Sequence, residues 1–316
     1  MKKFIICFIC VMAMPCVLIF LFSLIFSDIS FGTGGNGIDS RRMGKNVLLE
    51  VNGLYKSMDV EEYVLGVLPG TIPADYDMET LKMQAVLIRT NVLKEMQEKG
   101  TEDAADLSYH YMTVEERIEL FGEQNYEKYE RKFEQAVINT AGLVVKSENT
   151  LIMALYHEVS IGKTADAKEI LGEDISYLKS VDSSQDVEAK HYMNLVLYTW
   201  KELAECLKLP EEKECKAEVT ESTENGFVKQ LSVDDKVYTG DEAVKQFGLS
   251  STNFYVEKYG EGIRFVCIGK GNCLGVSLYG ANRMALDGKK MEEIIRYYYQ
   301  GVSIAEFSSS GEDVAK

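Results

Sequence analysis

The sequence predicts an α+β fold, one mixed unit of helices and strands behind a single N-terminal transmembrane helix. Three observations carry this. Apolar residues recur at three- and four-residue spacing in several segments, as at Leu81, Ala85 and Ile88, which marks buried helical stripes. Elsewhere, short β-branched runs flank turn residues, at 46–60 around Asn52-Gly53 and again at 142–159, and these read as hairpins. Residues 4–26 carry no charge, a length sufficient to cross a hydrocarbon core of about 30 Å.

Taken in order, Lys2 and Lys3 precede the apolar run. A cleaved signal peptide is the competing reading of 1–26. Its apolar core is ordinarily shorter and ends in a small-x-small site, which Phe26-Ser27-Asp28-Ile29 does not offer. Ala-Met-Pro-Cys at 13–16 resembles a lipobox weakly, and Pro15 argues against it. An uncleaved anchor over 1–26 is therefore preferred. Arg41, Arg42 and Lys45 balance Lys2 and Lys3, so charge alone leaves the orientation near a tie. Residues 27–46, rich in Gly and Ser, form a flexible tether; 47–303 is the folded unit; 304–316 is a polar tail expected to be disordered.

Within the folded unit, a helix from Val60 runs into the elbow Pro69-Gly70-Thr71-Ile72-Pro73, and a second helix starts near Met78 and ends near Lys99. Asp75 or Asp77 caps that helix, and Glu79 lies in its first turn, where the helix dipole favours an anion. Lys82, Gln84 and Arg89 are left off the apolar stripe and are expected to face a groove or solvent. Two helices meeting at a proline elbow make one wall of a cleft. A polar loop over 100–109 follows, then a helical stretch over 113–140 broken at Gly122. The periodicity predicts an amphipathic helix over 193–209 around Trp200, a polar turn over 220–225, a strand over 227–237 and a short helix over 240–247. Two further strands are predicted at 254–257 and 263–268.

Net charge is −16, which argues against nucleic acid or an anionic membrane surface as partner. Of seven cysteines, three lie in the apolar run. The remainder form two sequence-local pairs, Cys206 with Cys215 and Cys267 with Cys273, without zinc-site spacing. Unpaired or structural thiols are expected, and no metal or cofactor.

Three stretches share a family resemblance. In the first, Glu61, Tyr63, Gly66, Val67, Pro73, Glu79, Leu81, Lys82, Gln84, Ala85, Val86, Arg89 and Thr90 follow one pattern. In the second, His157, Ser160, Gly162 and Thr164 do so, and in the third Gly271, Gly275, Ser277, Tyr279, Gly280, Ala281, Met284 and Ala285. Together these resemble the motifs of the SpoIID/LytB family (stage II sporulation protein D and amidase enhancers), in the family's order over 47–303. The resemblance implies an elongated domain with a cleft, placed outside the membrane. It also implies peptidoglycan glycan strands as substrate, a cell-wall amidase as partner, and lytic transglycosylase chemistry.

That chemistry is where the chain departs from the family. Cleaving a glycosidic bond needs a proton donor at the leaving oxygen, normally a carboxylic acid with a raised pKa. The family's catalytic glutamate, two residues before the elbow proline, is Thr71 here, and a threonine hydroxyl cannot take that role. Asn272 stands for the family's histidine, Cys273 for a glycine, Leu278 for a glutamine and Ile161 for a glycine. The losses fall at polar positions, which implies a retained fold with a dismantled site, a pseudoenzyme. Glu158, which replaces a family serine, is a candidate substitute acid, because a strand through 156–160 puts Tyr156, Glu158 and Ser160 on one face, whereas Glu61, Glu62 and Asp75 near the elbow suit helix-start and turn stabilisation. A solvated strand glutamate is the simpler reading. Candidate glycan contacts are Thr71, Gln84, Arg89, His157, Ser160, Thr164, Asn272, Ser277 and Tyr279. For His157 a packed role weighs at least as heavily, and Ser160 and Thr164 can equally cap their own turn.

Overall fold

The computed structural model describes residues 42–51 and 53–308. The predicted anchor over 1–26, most of the tether and the end of the tail lie outside the described residues. Among the described residues no helix is long and apolar enough to cross a membrane.

The chain mixes helices and strands as expected. A hairpin, β1 (Asn46–Val51) and β2 (Leu54–Asp59), leads into helix α1 (Val60–Val67), capped by Asp59, whose Oδ1 accepts from Glu61 N at 2.9 Å. A short 3-10 turn (Leu68–Gly70) forms the elbow, and α2 (Met78–Lys99) follows, capped by Asp77 and ended by left-handed Gly100. Glycine has no Cβ to oppose that conformation, so it closes the helix without strain. Helices α3 (Val114–Phe121) and α4 (Glu123–Ile138) break at Gly122, as the sequence implies. Strand β3 (Leu143–Ser147) is central in a three-stranded sheet, with β4 (Thr150–Leu151) on one side. Strand β5 (Tyr156–His157), the short helix α5 (Ala167–Ile170) and a 3-10 turn (Ser184–Glu188) lead to the second half.

That half contains β6 (Met193–Thr199), α6 (Trp200–Leu207), β7 (Ala217–Ser222), β8 (Val228–Val233), β9 (Lys236–Thr239) and α7 (Gly240–Phe247). Strands β10 (Phe254–Lys258) and β11 (Gly262–Ile268) follow, then β12 (Val276–Ser277), α8 (Leu278–Leu286), α9 (Met291–Tyr298) and β13 (Ser303–Glu306).

Four sequence expectations are corrected. Residues 193–209 are not one helix. Met-Asn-Leu-Val-Leu-Tyr-Thr alternates with period two and pairs antiparallel with β11, and a Thr199–Glu202 capping box starts the helix only at Trp200. The predicted turn at 220–225 begins later, since 220–222 still belong to β7, paired with β8, and the chain turns over 223–226; 227–237 is a hairpin rather than one strand. The second hairpin is short: β4 stops at Leu151, and Tyr156–His157 pairs parallel with Val276–Ser277. The start of the tail is ordered, because β13 adds to β3 in register Ile304↔Val145.

Two hydrophobic cores result. The larger surrounds α2, which packs on α1, α4, α8, α9 and β3 and is buried on nearly every side from Thr80 to Leu93. The smaller joins α6, α7 and the sheets of β6, β8, β10 and β11 through Trp200, Leu203, Leu231, Phe247 and Phe265. Central placement of α2 corrects a further expectation. Arg89 does not face a groove: it is fully buried and clamps Glu61 through Nε (2.8 Å) and Nη2 (2.5 Å), while Nη1 donates to Leu143 O at 3.1 Å. Gln84 is likewise fully buried, and only Lys82 keeps some exposure, paired with Glu79 at 2.8 Å.

Candidate functional site

The elbow is held in place from two sides. Lys132 on α4 donates to the carbonyls of Ala74 and Tyr76, and Asn282 on α8 accepts from Asp77 N at 2.8 Å. Thr71 closes the 3-10 turn, and its hydroxyl donates back to Leu68 O at 2.9 Å. Facing it, the backbone at 155–160 is gripped by the glycine-rich loop 269–275. Lys270 O accepts from Glu158 N and Val159 N, both at 3.1 Å, and Val276 N donates to Leu155 O at 3.0 Å. Two loop glycines make this approach possible. A Cβ on Gly271 would sit 2.7 Å from the His157 Cβ, and one on Gly275 would sit 1.9 Å from Leu155 O, with φ at +69°.

Between these walls lies a cleft of about 690 Å³, lined on the elbow side by Pro69–Asp75 and opposite by Tyr156, His157 and Glu158. Phe121, Tyr129 and exposed Leu120 from α3 and α4 form one end, and Leu278 contributes an apolar wall. Thr71 and Glu158 therefore share one cleft. Glu158 is 35% exposed at its side chain and ion-paired, Oε2 lying 2.6 Å from Lys270 Nζ.

His157 is buried beside it. Its Nδ1 lies 3.0 Å from Leu274 O; a carbonyl only accepts, so Nδ1 carries the proton and Nε2 is a bare acceptor. Nε2 has no partner among the described residues, and burial lowers the imidazole pKa to about 4, so the ring is neutral near neutral pH. The Tyr156 hydroxyl stands among Thr71, Gln84 and Tyr109, with its pKa raised chiefly by burial. The Gln84 amide approaches it without making a hydrogen bond of ordinary geometry, and both its polar atoms are unpartnered. Tyr76, behind the elbow, is pushed up to about 12 by burial and by the negative charge of Glu158 and Asp75.

A family model described as stage II sporulation protein matches residues 51–146. Stage II sporulation protein D of Bacillus subtilis (strain 168) is 30% identical over 263 residues, spanning 81% of this chain and 77% of that protein. The chain belongs to the SpoIID family. The Bacillus amyloliquefaciens stage II sporulation protein D is 29% identical over 268 residues. An amidase enhancer of Bacillus subtilis is 22% identical over 297 residues, covering 77% of this chain but 40% of that protein.

In SpoIID terms, the structure brings only part of the predicted set together. Thr71, His157 and Glu158 line the cleft, and Gln84 stands behind Tyr156. Ser160 is fully buried and accepts from Gly162 N at 3.1 Å, capping its own turn. Thr164 is buried and accepts from Val181 N at 2.9 Å. Thus the strand through 156–160 does not put Ser160 on the same open face as Glu158; regular pairing ends at His157 and the chain turns inward. Asn272 is exposed and folds its Oδ1 onto Leu274 N at 3.0 Å. Ser277 caps α8, and Tyr279 is half-buried, its N–H donating to Glu158 O at 3.1 Å.

One residue of the SpoIID framework carried no sequence signal. Asp186, fully buried, accepts from Ser160 N and Ser277 Oγ, both at 2.6 Å, and from Ser183 Oγ at 3.0 Å. It ties the second motif to the third. Within Asp-Ser-Ser-Gln-Asp nothing distinguishes it from a surface loop acid, and only the tertiary contacts single it out. Its contacts are structural, and no metal-ligating cluster occurs among the described residues, where Cys206, Cys215, Cys267 and Cys273 are all free thiols.

Proposed function

We propose that this SpoIID-family protein binds peptidoglycan glycan strands in the cleft without cleaving them, in sporulation or cell-wall remodelling. Membership of the family supports the coarser role, related to sporulation or the cell wall. The observation that carries the finer reading is the state of the carboxylates in the cleft. A glycosidase acid works from a desolvated carboxyl aimed at the leaving oxygen. At Thr71 there is no carboxyl, and Glu158, on the opposite wall, is partly solvated and engaged by the Lys270 ammonium. Asp75 is exposed at the elbow rim. The aromatic faces of Phe121, Tyr129 and Tyr156, beside the hydroxyl of Thr71, suit the stacking and hydrogen-bonding demands of a sugar ring. In this reading residues 4–26 anchor the chain in the cell membrane, the folded part lies outside, and a wall amidase is the protein partner, in keeping with the amidase-enhancer relative.

Incubating the purified protein with glycan strands stripped of stem peptides separates the readings. Strand retention in a pull-down, with no anhydro-sugar ends released, supports the proposal. Anhydro-sugar product that Glu158→Ala abolishes establishes instead an active lytic transglycosylase with a displaced acid, the reading favoured by the presence of Glu158 in the cleft. Neither retention nor product leaves a structural membrane-anchored protein without glycan contact. Thr71→Glu should not restore cleavage in the same assay, because Leu278 and Asn272 also differ from the family pattern.

A further inference from the structure

Strand β6 is an edge, since the sheet runs in the order β10-β11-β6. Gly269 N donates to Tyr192 O and Trp200 N donates to Glu261 O at either end of the β6–β11 ladder, whose register is unbroken from Met193↔Ile268 to Thr199↔Gly262. In an antiparallel ladder bonded and non-bonded pairs alternate, so the even-numbered residues of β6 bond to β11. The N–H and C=O groups of Leu195 and Leu197 therefore point away from it, and they meet no partner among the described residues. The side chains of Met193, Leu195 and Leu197 are 56%, 52% and 53% exposed on one face of the sheet. On that face Leu195 lines up with Val266 and with exposed Tyr255, making an apolar row that ends at the open edge.

Natural edge strands are ordinarily guarded by charges, prolines or bulges. Among the described strands of four or more residues, β6 is the one with no charged side chain, and it has neither proline nor bulge. We propose that two copies of this chain pair antiparallel through their β6 edges, about Val196, to form a continuous six-stranded sheet. The strand is self-complementary in that register. Leu195 faces Leu197 of the second copy, Met193 faces Thr199, and Asn194 faces Tyr198, so odd residues meet odd residues and the free backbone groups pair. A chain of net charge −16 repels a second copy over most of its surface, and β6 offers a seven-residue strip without charge. Pairing also supplies the missing lateral neighbours of Leu195 and Leu197.

The test uses the full chain in detergent. Leu195→Cys/Leu197→Cys under mild oxidation should give a disulfide-linked dimer well above the wild-type background from native thiols, and Tyr255→Cys, two strands from the edge, should not. Sedimentation equilibrium should show a dimer that Leu195→Lys dissociates at least tenfold without changing the circular dichroism spectrum. A monomer at tens of micromolar with no enrichment of the cross-link overturns the proposal, and points to another segment or protein on this edge. A dimer untouched by Leu195→Lys also overturns it, by placing the interface elsewhere.

Discussion

Removing Glu61 tests the deepest-buried charge pair of the main core. Arg89 and Glu61 are 0% and 1% exposed, and the pair is bidentate. Glu61 Oε1 also accepts from Gly142 N at 2.8 Å, and Arg89 Nη1 reaches Leu143 O. The pair thus joins α1, α2 and the entry to β3. Glu61→Ala strands a guanidinium in the core and leaves the Gly142 amide without its acceptor. Breaking such a pair by removing one partner costs about 3–5 kcal/mol, against a total stability on the order of 5–15 kcal/mol. With roughly 2–4 °C lost per kcal/mol in a domain of this size, the melting temperature should fall by about 6–20 °C. Replacing both partners, Glu61→Met with Arg89→Met, removes both buried charges and should recover most of that loss. Urea denaturation followed by circular dichroism measures Glu61→Ala, the two methionine singles and the double variant. A cost below about 1 kcal/mol for Glu61→Ala, or a double variant as unstable as the summed singles, would refute the argument.

Three further outcomes follow from the cleft. Because the His157 pKa is lowered to about 4 in the fold against roughly 6.5 in the unfolded chain, the unfolded state takes up a proton first as pH falls. Stability present above pH 6.5 should therefore drain away down to about pH 4, by about 3 kcal/mol, and His157→Gln should flatten that part of the stability–pH curve; an unchanged slope contradicts the assignment. Gly275→Ala must place a Cβ 1.9 Å from a backbone oxygen at positive φ, so soluble yield and melting temperature should drop sharply, whereas Gly288→Ala, with open space around it, should cost about 1 kcal/mol from backbone strain alone. Gln84→Leu removes an amide whose two polar atoms are unpartnered, so denaturation should show it neutral or more stable by about 1 kcal/mol; a loss above about 2 kcal/mol would mean the amide has a partner in solution.

Sequence periodicity and turn chemistry determined much of this protein. The β1–β2 hairpin, the paired helices around the proline elbow, the break at Gly122 and the helix starts at Asp77 and Thr113 are local in origin, so they were legible in order along the chain. The three motifs gave the family for the same reason, being short and in sequence order. Where local signals competed, the reading failed. Residues 193–199 suit either period until β11 lies beside them, and β13 becomes a strand only because β3 has a free edge.

Burial was decided by the tertiary structure alone. Surface and core polar residues look alike in a sequence, so Arg89 and Gln84 were expected at a groove; the position of α2, enclosed by four helices and a strand, put both inside. The same applies to Asp186, whose three bonds come from residues 3 to 91 positions away. Thr71 is the converse case. That it carries a hydroxyl and no carboxyl is plain from the sequence, because it concerns which atoms are present. Whether another carboxyl faces it is a question of distance, and there the fold brings Glu158 into the same cleft with Lys270 as its ionic partner.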